Sequence, residues 1–238
     1  MAKKPEIAIE QVLREMQQGK TAPYLCKDDE GIQHIVKGKN ATLAGLVREW
    51  ICAVLGSEFE LPIPDFAIAW VDEPFQRKKD LFEYNFASNF IENIQDVNTA
   101  TLSKLPQRLI NNLYMFDYWV MNGDRTLTDT GGNPNFFIHQ RTNEAIVIDH
   151  NLAFDSDFDI ANHKTIHVCS KYKKWGDLFS IERQYYTDLF EKAIDALNQA
   201  LNEIPEEWLD NYSLAKIRSE IFPILERYRD EKFWEDIQ

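Results

Sequence analysis

The chain is short of cysteine, of glycine-rich segments, of long apolar runs and of positive charge, and each shortage removes a class of function. Its three cysteines, Cys26, Cys52 and Cys169, are odd in number, widely separated and form no Cys-x-x-Cys. That pattern excludes a disulfide framework and a zinc knuckle and fits a reducing cytoplasm. The longest apolar runs, near Trp50–Gly56 and Phe66–Val71, fall far below the roughly 20 residues of a membrane span. No apolar signal core follows Met1-Ala2-Lys3-Lys4, so a soluble cytoplasmic protein is expected.

Basic residues number 26 against 39 acidic, a net charge of −13. The first 40 residues hold seven Lys/Arg and six Asp/Glu, leaving 19 against 33 for the remainder. Nucleic-acid backbones demand a basic surface, so nucleic acid is not an expected partner. An anionic membrane surface is equally disfavoured. No Gly-x-Ser-x-Gly nucleophile motif occurs, and the His163/His167 pair lacks the glutamate of a zinc-protease helix, which points to a structural or surface role for both histidines.

What is present is an ordinary globular composition, 44% hydrophobic and 27% charged over 238 residues. That length suits one large domain or two lobes of about 100 residues each. Ile7, Ile9, Val12, Leu13 and Met16 predict a short amphipathic helix closed by Gly19. Pro23–Lys27 and Ile32–Lys37 predict a hairpin around Asp28-Asp29-Glu30-Gly31. A helix is expected from about Thr42, broken by Leu61-Pro62-Ile63-Pro64, and then a strand over Phe66–Val71. The polar passage from Asp72 to Asp80 reads as a separator. Leu102, Leu105, Leu109, Leu113, Phe116 and Val120 predict one long buried helix reaching Asn122. A second hairpin is expected from Phe136–His139 and Ala145–Ile148, and closing helices over Ile181–Ile204, around Glu206–Trp208 and over Leu214–Tyr228. The expected class is α+β: a small mixed lobe over residues 1–92 and a mainly helical lobe over residues 93–238.

The chemistry concentrates in Asn122-Gly123-Asp124-Arg125, Asn133-Pro134-Asn135 and Ile146-Val147-Ile148-Asp149-His150. Phosphoryl transfer needs a carboxylate to orient an attacking hydroxyl, and an amide and a second carboxylate to hold magnesium on the phosphates. Asp124 is the candidate for the first, Asn133 (or Asn135) and Asp149 for the others. Turn chemistry is the plain alternative for Asp124 and for Asn133. Asp149 ends an aliphatic run that should be buried, where a carboxylate must be paired or hold a metal. Arg125 stands to counter phosphate charge or to salt-bridge on the surface. Lys37 ends an apolar strand in the manner of a nucleotide lysine, with Glu49 on the following helix to hold it and Lys39 as a competitor. The turn Asp28–Gly31, with one glycine and three acids, is a poor phosphate cradle.

These residues resemble the small, stand-alone HipA-like kinases, a branch of the protein-kinase-like superfamily related to the HipA toxins. The resemblance runs to about Val168. It rests on Asp124-Arg125…Asn133-Pro134-Asn135 and Ile148-Asp149-His150, with softer matches at Gly19-Lys20-Thr21-Ala22-Pro23, His34–Lys37, Leu46–Trp50, Leu61–Phe66 and Ile166-His167-Val168. It implies a two-lobe protein-kinase-like fold and ATP-dependent, Mg2+-dependent phosphorylation of a Ser or Thr hydroxyl, with a protein as substrate and room for an antitoxin-like or regulatory partner. It assigns Asp124 as catalytic base, Asn133 and Asp149 as magnesium ligands, and Lys37 with Glu49 as the phosphate-binding pair. The sequence departs from that pattern in one place: protein kinases separate the loop aspartate and asparagine by about four residues, whereas here Arg125–Gly132 intervenes. Two other readings stay open: a pseudokinase or acidic interaction module that binds nucleotide or partner without turnover, and a kinase of a small molecule or lipid headgroup.

Overall fold

The computed structural model describes residues 6–17, 21–175, 181–210 and 212–238. Gly19 and Lys20, singled out above, lie outside the described residues. The chain opens with β1 (Glu6–Glu15), not a helix. Ile7 and Ile9 alternate inward, and register shifts between Ile9 and Gln11 and between Val12 and Arg14 move Val12 out of that phase. The bulges therefore give the apolar residues a spacing that imitates a helix.

β2 (Tyr24–Asp28) and β3 (Gln33–Lys37) form the expected hairpin. Gly31 takes φ +79° in its turn, and Asp28 Oδ1 accepts from the Glu30 and Ile32 amides at 3.0 and 2.8 Å. Thr42 caps α1 (Leu43–Glu58) by accepting from the Gly45 N–H at 3.1 Å. β4 (Phe66–Trp70) follows, and then α2 (Glu73–Lys79) occupies the passage read as a separator. α2 buries no side chain, so hydrophobic periodicity gave no sign of it; its signals are the Asp72 cap and Pro74. β5 (Tyr84–Asn89) completes a closed barrel of order β1-β2-β3-β5-β4, in which β1 runs parallel to β4 and every other pair is antiparallel.

Beyond the barrel come β6 (Ile94–Asp96), α3 (Thr99–Leu102) and α4 (Gln107–Trp119). The long helix expected from Leu102 is thus two: Pro106, at φ −55°, has no N–H to continue α3 and starts α4 instead. β7 (Phe136–His139) and β8 (Ala145–Val147) pair as expected and join β6 in a three-stranded sheet. The remainder is α5 (Ile160–Ile166), α6 (Ile181–Ala200), α7 (Glu206–Leu209), α8 (Leu214–Leu225) and α9 (Glu231–Ile237).

One small core lies inside the barrel around Ile9, Val36, Ala69 and Ala87. The larger core takes in α1 together with α4, α6, α8 and α9. Trp50 of α1 is fully buried and donates its indole N–H to the Ala200 carbonyl at 3.2 Å. Burying one such ring contributes roughly 4–6 kcal/mol as an upper bound. Phe59, at the end of α1, sits 5.5 Å from Phe116, 5.7 Å from Trp119 and 5.4 Å from Phe190, centroid to centroid. Glu49 is thereby held on a helix that belongs to the same packed body as α4. Among the described residues no helix is long and apolar enough to cross a membrane.

Candidate active site

Lys37 is the last residue of β3, and Tyr24 pairs with Val36 beside it. The paired residues Glu15 and Tyr24 therefore lie at the Lys37 end of the strands. The acidic turn at Asp28–Gly31 lies at the opposite end, so its carboxylates do not confront whatever Lys37 binds. Lys39 is exposed, with its backbone N–H on the Asp80 carbonyl at 2.9 Å, and takes no part in the site.

The Lys37 ammonium donates to Glu49 Oε1 and to Asp149 Oδ1, the latter at 2.9 Å. Glu49 is 2% exposed and its Oε1 also accepts from the His150 N–H at 3.2 Å. One carboxylate thus fixes both the lysine and the backbone that follows Asp149. Burial disfavours charge on Lys37, but the Glu49 and Asp149 carboxylates outweigh it and raise its pKa. Burial likewise pushes Asp149 up, and the Lys37 ammonium overcomes this and holds it well below the usual carboxylate range. Glu49 is pushed up to about 7 by burial, against Lys37 and with the Asp149 charge adding to the rise. Two carboxylates on one ammonium titrate as a unit, and Asp149 is the one that keeps its charge. Asp149 adopts φ +64°, a left-handed conformation costing about 1–3 kcal/mol in a residue with a Cβ.

Asp124 lies on the loop after α4, where Met121 turns the chain at φ +52°. The Asn133 amide donates to Asp124 Oδ2 at 2.6 Å. A carboxylate oxygen accepts, so the contact needs Asn133 Nδ2 and turns Oδ1 away from Asp124. The residues between the two fold out as a closed turn. Thr128 and Gly131 exchange backbone hydrogen bonds at 2.9 and 3.2 Å, and the Thr126 N–H meets the Asn133 carbonyl at 3.0 Å. Gly132 permits that closure, because a Cβ there would stand 2.4 Å from the Thr126 carbonyl oxygen.

Arg125 is 1% exposed, so its salt bridge is an interior one and not the surface pair that was one of its two sequence readings. Its Nε donates to Asp117 Oδ2 at 2.6 Å and its Nη1 to the carbonyls of Asn135 and of Ile148, the latter at 3.1 Å. Its Nη2 meets His150 Nε2 at 2.9 Å. One guanidinium therefore binds the Asp124 loop, the Asn133–Asn135 turn and the Ile148–His150 segment together. Asn135 enters this arrangement through its carbonyl, which also accepts from the Ile148 N–H at 3.2 Å.

Asp117 was not singled out in the sequence, although it is the hub. It is wholly buried and accepts from Arg125, from Asn122 at 2.8 Å and from His167 Nε2 at 2.9 Å. Burial would raise its pKa; Arg125 and then His167 hold it far below the usual range. The signal was its phase, four residues after Leu113 and on the same helix face. His163 and His167, 4% and 3% exposed, are both interior.

Among the described residues no three His, Cys, Asp or Glu side chains gather to hold a metal. The candidate oxygen donors are of mixed residue types: the Asp149 carboxylate, which also meets Lys37, and the Asn133 Oδ1 turned away from Asp124. An all-oxygen set of one charged and one neutral donor suits a small hard cation that keeps its own water.

The sequence model of the HipA-like kinases matches residues 9–237. The chain belongs to the HipA-like kinase family. This HipA-like kinase has no match among curated protein sequences. Among solved structures it is similar to a Helicobacter pylori proinflammatory kinase, CtkA, at 11% identity and TM-score 0.49, covering 98% of this chain and 97% of that one. It is also similar to the Golgi casein kinase at 12% identity and TM-score 0.49, covering 100% of this chain and 73% of that one.

Proposed function

We propose that this HipA-like kinase transfers the γ-phosphate of ATP, in the presence of Mg2+, to a Ser or Thr hydroxyl on a protein in the cytoplasm. Residues 1–92 serve as the nucleotide-binding lobe and residues 93–238 as the catalytic lobe. The observation that carries the reading is the Lys37–Glu49–Asp149 cluster, joined through His150 and Arg125 to the loop that presents Asp124 and Asn133.

In this reading the Lys37 ammonium pairs with phosphate oxygens, and Glu49 keeps it from withdrawing. Asp149 and Asn133 would hold the magnesium ion, which supplies charge neutralisation on the phosphates. Asp124 orients the acceptor hydroxyl and takes its proton at a carboxylate oxygen. As the acceptor O–P bond forms, the bond from the γ-phosphorus to its bridging oxygen breaks and ADP leaves. Arg125 touches no reactant; it positions the three segments that do. Positioning and electrostatics account for most of the rate gain in such a reaction.

Two sequence features had favoured a module without turnover: the lengthened loop and the acidic hairpin. The loop's extra residues close on themselves while Asn133 still meets Asp124, and the hairpin turn lies away from Lys37. The test is transfer of labelled phosphate from ATP to the protein itself or to lysate proteins, expected to disappear in Asp124→Asn. A Mg·ATP-dependent thermal shift, expected to disappear in Asp149→Ala, measures binding separately. Binding without transfer under all conditions would return the pseudokinase reading.

A further inference from the structure

Asp124 opens on a cavity of about 280 Å3 that Asp155, Asp157, Asp159 and His163 also line. That is close to the lower end of ligand clefts, roughly 300 Å3, enough for one side chain and not for a folded partner. Its charge is one-sided. Asp155, Asp157 and Asp159 are exposed carboxylates that only accept. His163 is 4% exposed, and its Nε2 stands 3.1 Å from the Tyr114 carbonyl, which also only accepts. Nε2 therefore carries the hydrogen and Nδ1 is a bare acceptor, and this buried Nδ1 has no partner. Among the described lining residues the one Lys or Arg is Arg125, whose charge Asp117 already balances. Asp155 and Asp159 each engage a backbone N–H, of Asp157 at 2.9 Å and of Ala161 at 2.7 Å, and no cation.

A cavity with a net acidic lining and apolar walls from Leu152, Phe158 and Ile166 favours a donor that carries positive charge on an apolar stem. We propose that it receives the guanidinium or ammonium of a basic residue flanking the phosphorylated hydroxyl, so that the acceptor is a protein segment in which Ser or Thr stands beside Arg or Lys. The inference rests on the reading of Asp124 as the catalytic base, since the same cavity holds that residue. The exposed position of Asp155 and Asp157 at the opening favours an extended segment, which can lay further residues across them. A small amino alcohol offers the same donor chemistry from another source.

The test is a binding titration of the full chain, without ATP, using a fluorescent peptide with Ser between two arginines and a matched peptide with citrulline in their place. The arginine peptide is expected to bind at least about tenfold more tightly, and more weakly as salt rises. Asp155→Asn/Asp157→Asn, two exposed substitutions whose folding is checked by circular dichroism, is expected to abolish that preference. Equal binding of the two peptides, or an undiminished preference in the double variant, overturns the proposal. In a third arm ethanolamine competes against the labelled peptide; displacement at concentrations below the peptide's own overturns the assignment to a protein segment. Arginine-dependent binding without phosphate transfer would sink the kinase reading and leave standing only the capture of a basic side chain by this cavity. Transfer to both peptides alike would do the reverse.

Discussion

Arg125 Nε lies 2.6 Å from Asp117 Oδ2, with neither side chain exposed to solvent. The pair is an interior strut between α4 and the loop that follows it. A buried carboxylate whose partner remains behind is costly to remove, because the guanidinium is then left without compensation.

Asp117→Ala is accordingly expected to lower unfolding stability by about 3–5 kcal/mol, and Asp117→Asn by less, since the amide oxygen still accepts from Arg125. Urea unfolding of both variants measures this. A loss under about 1 kcal/mol for the alanine variant would mean that the strut carries no load.

Gly132→Ala tests the folded-out turn. Its Cβ would meet the Thr126 carbonyl at 2.4 Å, a backbone atom that cannot rotate aside. The two limbs of the loop must part, and Asn133 moves with them. Phosphate transfer should fall at least about tenfold while the melting temperature changes by only a few degrees. Unchanged transfer would detach Asn133 from the reaction.

Substitutions at Asp149 separate charge from backbone strain. Both Asp149→Ala and Asp149→Gly lose the Lys37 contact, but only glycine is at ease at φ +64°. The glycine variant should be more stable than the alanine variant by about 1 kcal/mol, with both unable to show a Mg·ATP thermal shift. Equal stabilities would contradict the strained geometry.

Three interior histidines set the acid limit. Burial lowers the pKa of His150 to about 3, with Arg125 adding to the fall, and burial also lowers His163 and His167 from the ordinary 6.5. His167 has no nitrogen left for a second proton, because Nδ1 accepts from the Cys169 N–H at 3.1 Å. Each folded pKa lies below its unfolded value, so the unfolded chain binds more protons. The stability these groups contribute is complete above about pH 6.5 and is lost as pH falls below it. Glu49 runs the other way: its pKa rises from 4.5 to about 7, so its contribution is complete at low pH and fades as pH climbs through 7. Urea midpoints should therefore fall between pH 6.5 and about pH 5, and more steeply in Glu49→Gln. A flat profile over that range would rule out neutral interior histidines.

The groups with the clearest local grammar were legible before any coordinates. The Asp28–Gly31 turn, the helix start near Thr42, the two hairpins and the apolar-then-polar ends at Lys37 and Asp149 all follow from short-range patterns, and the structure has them. Elements whose evidence lies elsewhere in the chain were not legible. β1 reads as a helix because its bulges displace Val12, and a bulge is set by the partner strand. β5 carries Asn85, Ser88 and Asn89, and it is a strand because β3 and β4 flank it. The interior pairing of Arg125 was not legible, because nothing near it in sequence announces Asp117, whose side chain arrives from the preceding helix. The contact of Lys37 with Asp149 spans 112 residues, yet both ends were identifiable, since each is a charged group closing an apolar run.

The anchoring of α1 bears on how such an enzyme could be regulated. An outward swing of this helix, which would part Glu49 from Lys37, would also pull Trp50 from the Ala200 carbonyl and Phe59 from four aromatic neighbours. At about 0.5–1.5 kcal/mol per ring pair beyond the buried area, that displacement is expensive. The Lys37–Glu49 contact thereby shares the stability of the larger core, and a helix shift that parted the two groups would have to disturb both.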